Sequence, residues 1–169
     1  MSSFLERLRK YKDDRGMMAN LRCILVKSKK ERAWPVLNRV DVRINDEDAA
    51  FVAGLFATYP DGDSETAKNF GATCKAIEMA RNETSSSTDK DKKLTPTERR
   101  FQHLLAADRD EIQDRVMRMV LLAKSQSQRV PINYGKLLHD LKYWGDRTKT
   151  EWAAAFWTPG VEPAQEEAE

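Results

Sequence analysis

Cysteine is nearly absent from this 169-residue chain, and the two that occur, Cys23 and Cys74, lack CxxC spacing. That excludes a disulfide framework and a zinc knuckle, and it fits a reducing cytoplasm. Both thiols fall on apolar stripes and read as buried core residues. Histidine is as scarce: His103 stands near Arg99 and Arg100, and His139 lies between Leu138 and Asp140. On a helix, His139 and Asp140 point to different sides, so they do not make a ligand pair. A convergent nucleophile, base and orienting group is also missing. No GxxxxGK[ST] or GxGxxG loop occurs. No apolar run approaches the roughly 20 residues that span a bilayer, and mean hydropathy is −0.70. The N-terminal Met1 to Arg7 lacks the apolar centre of a secretion signal. These absences point to a soluble, non-catalytic protein with no cofactor, no metal and no membrane partner.

Charge of one sign is missing only on average. The chain carries 29 Lys+Arg and 27 Asp+Glu, for a formal net charge of +2. Residues 1–33 nevertheless hold ten basic against four acidic side chains, a local +6. Residues 34–84 then hold five against nine, −4, and residues 85–149 fourteen against nine, +5. Residues 150–169 hold five acids and no base. Two basic blocks separated by an acidic one say more about partners than the mean does.

What is abundant is helix-forming residues. Ala, Leu and Met together number 38, against 14 Val and Ile, and no long stretch alternates apolar with polar. The chain is therefore expected to be all-α. Ser2 or Ser3 can cap a helix through Tyr11 that turns Phe4, Leu5 and Leu8 inward. A second helix is expected from Met17 to Val26, and Pro35 can open a third. Asn45 is a candidate N-cap, with Asp46, Glu47 and Asp48 in the first turn, where the helix dipole favours acids rather than a metal. Ala49, Val52, Leu55 and Phe56 then face inward, and Tyr59-Pro60-Asp61-Gly62 makes a turn. Ser64 is expected to start a helix whose stripe is Ala67, Phe70, Cys74 and Ile77.

Residues 83–93 contain no apolar side chain and read as a flexible linker. The expected organisation is an N-terminal helical bundle over 1–82, a linker over 83–94, a C-terminal bundle over 95–158 and a disordered acidic tail over 159–169, with about eight helices in all. Thr95, Pro96 and Glu98 form a capping-box start, and Asp108 with Glu111 a second cap-and-acid pair. Ile112, Val116, Met119, Val120 and Ala123 line the inner face of the following helix. Tyr134, Leu137, Leu138, Leu141 and Trp144 line the next, which Gly145 can end in a left-handed cap. Trp152, Ala155 and Phe156 mark the last helix.

The basic residues carry the remaining functional signal. Arg15, Arg22 and Lys29 share a face if one helix runs through them. Arg115 and Arg118 lie opposite their helix's apolar stripe, with Arg109 before them and Arg99 and Arg100 on the preceding helix. Guanidinium groups grip phosphates bidentately, so such faces can follow a nucleic-acid backbone without reading bases. Ordinary solvated helix faces would look the same.

The stretches Arg99 to Arg109 (RRFQHLLAADR), Val116 to Leu122 (VMRMVLL) and Leu137 to Trp144 (LLHDLKYW) resemble the CasB family, the small subunit of the type I-E CRISPR surveillance complex Cascade. The likeness covers residues 95–157 best. Upstream, Arg15 to Arg22 resembles the family's basic Leu-Arg element, with Cys23 where a second arginine often follows, and Asn69-Phe70-Gly71 resembles its N-x-G helix. The resemblance implies an all-α, non-enzymatic subunit of an antiviral RNA-guided complex, present beside other Cascade subunits and a second copy of itself. It implies contacts to CRISPR RNA and to the target and displaced DNA strands through phosphates, which stabilise the R-loop. The positions matching basic family positions are Arg22, Arg99, Arg100, Arg109, Arg118 and Arg147, with Lys68 and Lys75 in the family-like helix. The alternative is a purely structural scaffold in which Arg99 or Arg109 pairs with Asp108 or another acid and no nucleic acid is touched.

Overall fold

The centre of the molecule is set by its most apolar stretch. Asp46 accepts the Ala49 N–H at 3.1 Å and starts a helix, with Glu47 and Asp48 in its first turn. Every residue from Ala49 to Thr58 is buried, and a helix apolar on all sides must lie at the core. The cap falls on Asp46 rather than Asn45, because it is the Asp46 carboxylate that reaches the third residue of the helix.

The computed structural model describes residues 3–84 and 93–159. Among them are nine α-helices: α1 (Ser3–Lys10), α2 (Arg15–Arg22), α3 (Trp34–Arg39), α4 (Glu47–Thr58), α5 (Phe70–Thr84), α6 (Pro96–Leu105), α7 (Ile112–Lys124), α8 (Tyr134–Lys142) and α9 (Asp146–Phe156). The protein is all-α; the one β-type pairing among these residues is an isolated parallel bridge between Asp63 and Ile132. Most of the linker expected over 83–94 and of the tail expected over 159–169 lies outside the described residues.

Several local expectations hold. Phe4, Leu5 and Leu8 of α1 are buried, as are Ile112, Val116, Met119, Val120 and Ala123 of α7. Thr95 forms a full capping box: its Oγ1 accepts the Glu98 N–H at 3.1 Å, and Glu98 Oε1 accepts the Thr95 N–H at 2.8 Å.

Others are corrected. The helix expected to reach Val26 ends at Arg22; a 3₁₀ turn follows at Cys23–Leu25, and Val26 is extended. That turn seats Ile24 and Leu25 against Gly54 of α4, where a Cβ would stand 2.3 Å from Ile24 Cγ2. Arg15, Arg22 and Lys29 therefore do not share one helical face. Cys23 is half-buried, its Sγ 3.5 Å from the Ala19 carbonyl, while Cys74 is fully buried and its thiol pKa is pushed up by that burial.

Ser64 does not begin a helix. Its Oγ accepts the Ala67 N–H in a turn, its own N–H pairs with Ile132, and α5 begins after Asn69 Oδ1 accepts the Ala72 N–H. Gly145 has φ 177°, an extended rather than left-handed conformation, and stands before α9 rather than capping α8.

The core is shared by helices from both sides of residues 85–92. α4 packs on α7 and α8, and α5 packs on α6, α7 and α9. Segment 59–64 is stitched to 129–134: Tyr59 Oη accepts the Val130 N–H at 2.9 Å, the Ile132 N–H donates to Gly62 O at 2.7 Å, and Tyr134 Oη donates to Tyr59 O at 2.6 Å. Burial first, then the Asp63 charge and Tyr59, raises the Tyr134 pKa well above its usual value and keeps the hydroxyl a donor.

Candidate nucleic-acid interface

The α6–α7 pair is built to show arginine outward. Phe101 and Leu104 turn α6 inward, where Phe101 stacks on Phe156 with ring centroids 4.5 Å apart. The opposite side of α6 then carries Arg99, Arg100 and His103, all exposed. Asp108 Oδ1 accepts the Asp110 and Glu111 N–H groups and makes the turn into α7. The Trp144 indole N–H donates to Ala107 O at 3.0 Å and holds that turn against the core. With the α7 stripe inward, Arg115 and Arg118 face back across α6. Arg100, His103, Arg115 and Arg118 rim a groove of about 380 Å³ whose floor is Met119, Leu121 and Leu122.

The eight basic positions expected from the resemblance separate by environment. Arg100 and Arg118 line this common groove. Arg99 lies on the exposed face of α6 without a charged partner among the described residues. Arg118 pairs with Asp114 one turn away at 3.1 Å and keeps its side chain 67% exposed, a pairing worth only about 0.3–0.5 kcal/mol.

Arg109 is engaged elsewhere. Its Nη1 donates to Leu141 O at 2.8 Å and its Nη2 lies 3.6 Å from Asp48 Oδ2. It stands in a cavity of about 620 Å³ rimmed by Asp46, Glu47, Asp48 and Asp110, which repels a polyanion. Lys142 Nζ closes on Asp46 at 2.9 Å nearby. Burial tends to raise the Asp46 pKa, but the bonds from Lys142 and the Ala49 N–H, with the Lys142 and Arg43 charges, bring it below the usual aspartate value.

Arg22 Nη1 donates to Ala57 O at 3.2 Å, satisfying a carbonyl in the last turn of α4. Lys75 Nζ bonds Thr158 Oγ1 at 2.6 Å, fastening the segment after α9 to α5. Arg147 pairs loosely with Glu151 at 3.4 Å and is 93% exposed, and Lys68 is exposed before α5.

Much of what carries the family resemblance is packing. Gly71 exists for a close approach: a Cβ there would lie 2.1 Å from Trp152 O, so only glycine lets α5 meet α9. Asn69 Nδ2 donates to Glu151 O at 3.2 Å across the same seam. Asp140 is 2% exposed and accepts the Trp152 indole N–H at 2.7 Å and Lys136 Nζ at 3.1 Å. Sequence reasoning placed Arg115 on the outer face of its helix but did not single it out as a site residue. Its spacing of three from Arg118 is the signal that places the two on one wall of the groove. Among the described residues no group of three His, Cys, Asp or Glu could hold a metal ion, and no helix is long and apolar enough to cross a membrane.

Solved structures of similar fold include a Cse2-family CRISPR-associated protein of Thermus thermophilus, with TM-score 0.64 and 25% identity, covering 90% of this chain and 94% of that one. CasB of M. ruber matches with TM-score 0.62 and 23% identity over 99% of this chain and 98% of its own, a likeness of fold. No curated protein matches the sequence. The family model for CRISPR-associated protein Cse2 matches residues 7–157, nearly the whole length, and the chain belongs to that family.

Proposed function

We infer that this protein is the non-catalytic small subunit of a Cascade-type, type I-E RNA-guided DNA-surveillance complex in the cytoplasm, and that it holds nucleic-acid strands by their phosphates to stabilise the R-loop. The observation that carries this reading is the α6–α7 outer face, where exposed Arg99 and Arg100 stand without acid partners among the described residues, beside Arg115 and Arg118. Charged groups without intramolecular partners lose little when they meet phosphate, and they release counterions on doing so. R-loop formation is a nearly balanced exchange of duplex for heteroduplex, so a few sequence-neutral contacts can tip it. Within this reading Arg99, Arg100 and Arg118 contact backbone; Arg22, Arg109 and Lys75, tied to carbonyl or hydroxyl oxygens, set the shape that presents them. Arg147 and Lys68 are solvated accessory positions.

A purely structural scaffold, contacting only other subunits and a second copy of itself, is the competing reading. The ion pairs of Arg109, Arg118 and Arg147 favour it, since each neutralises a basic position. A salt titration of single-stranded DNA binding separates the two. Arg99→Ala with Arg100→Ala lowers the slope of log affinity against log salt by about 0.7 for each phosphate contact removed. An unchanged slope, in the free subunit and in the complex purified with its partner subunits and RNA, establishes the scaffold instead.

A further inference from the structure

The α6–α7 groove is more than a charged surface. Its floor is apolar and partly open to solvent: Leu121 is 47% exposed, beside half-buried Leu122 and buried Met119. Its rim is cationic on both sides, Arg100 with His103 on α6 and Arg115 with Arg118 on α7. Arg115 is incompletely satisfied: Nη2 donates to Glu111 Oε1 at 3.1 Å, whereas Nη1 is buried with no acceptor among the described residues. Arg118 on the same wall keeps its side chain 67% exposed, so its guanidinium is open to an anionic oxygen. A groove of about 380 Å³ is within the size range of small-ligand sites. A plain phosphate track would need no apolar floor, and an apolar ligand would need no arginines. A nucleotide has both parts, a flat base and an anionic linkage.

We propose that the α6–α7 groove seats one unstacked nucleotide of a single strand, its base on the floor formed by Met119, Leu121 and Leu122 and its phosphate against Arg118 and Arg115. Arg100, on the opposite rim of the groove, meets the adjoining phosphate of the same strand. The proposal rests on the nucleic-acid reading above and adds a base contact to it. The apolar floor offers no hydrogen bonds to base edges, so the seat accepts any base and discriminates against duplex, whose bases stay stacked.

The test measures the full chain by fluorescence anisotropy at low salt, with a thymine single strand, an abasic strand of the same length and a duplex. The thymine strand binds about tenfold more tightly than the abasic one, and Leu121→Ser brings the two within about twofold. Leu121 is half exposed, so this variant keeps its fold, which circular dichroism verifies. Equal affinity of the wild-type chain for thymine and abasic strands, with a steep salt slope retained, overturns the seat and leaves backbone binding standing. A base preference that survives Leu121→Ser places the base elsewhere and also overturns it. Failure of every strand to bind, in the free chain and in the assembled complex, removes the nucleic-acid reading itself.

Discussion

Arg100 and Arg109 stand on either side of one helix–turn–helix corner and have the same chemistry. Arg109 meets the Leu141 carbonyl and the Asp48 carboxylate, contributed by α8 and α4, in a cavity rimmed by acids. Arg100, among the described residues, meets only the open groove and the other cationic side chains of α6 and α7. The difference lies in what the rest of the chain brings to each. A cation is committed to structure where distant segments supply acceptors, and it is left for a partner where they do not. The packing around α9 extends the contrast, because the family-like Asn69 and Gly71 meet the α9 backbone and the family-like Asp140 of α8 accepts the Trp152 indole N–H.

Breaking this packing has the largest expected effect on stability. Gly71→Ala forces the Cβ against the Trp152 carbonyl, which is backbone and cannot rotate away. We expect a loss of about 3 kcal/mol, read as a fall of about 6–12 °C in Tm by calorimetry. Asp140→Ala follows at about 2 kcal/mol, since it orphans the buried Trp152 N–H. Asp140→Asn keeps an acceptor and recovers most of that loss; if it melts as low as Asp140→Ala, the hydrogen bond is not what matters at that position.

The corner and the outer face should then respond in opposite ways. Arg109→Ala lowers stability by about 1 kcal/mol and leaves the salt slope of strand binding unchanged. Arg100→Ala leaves stability within about 0.5 kcal/mol and lowers the slope. If Arg109→Ala lowers the slope as much as Arg100→Ala does, the two positions are not distinct.

The smallest effect is on pH dependence. The folded-state pKa of Asp46 lies below its usual value, so its contribution is fully present above that usual value and is lost as pH falls through the folded pKa. Asp46→Asn should flatten the fall in Tm on acidification between about pH 5 and 3, and an unflattened fall in the variant would show that Asp46 does not carry it.

What was legible in the sequence follows the range of the interactions involved. The Thr95 capping box, the α7 stripe and the turn at Pro60 depend on residues within about four positions, and all occur as expected. The helix through Val26 does not, because Ile24 and Leu25 gain more by packing on Gly54 than by continuing a helix. Ser64 likewise loses its expected role to a pairing with Ile132, far along the chain. The division drawn at 83–94 rests on composition, yet the helices on its two sides share core contacts. At the candidate site, the arginines and their helices were visible, but not which of them would be free.

By itself, then, the sequence determined the all-α class, the Thr95 capping box, the main apolar stripes, and the basic blocks hidden under a net charge of +2. Only the tertiary structure decided that Arg109 would be taken up by Asp48 and Leu141, that Gly71 would admit Trp152, and that Arg100 and Arg118 would rim one groove with an apolar floor. The reason is physical: helix periodicity and capping are set by neighbours one turn away, whereas an acceptor for a charge or space for a Cβ is set by whichever distant segment packs against it.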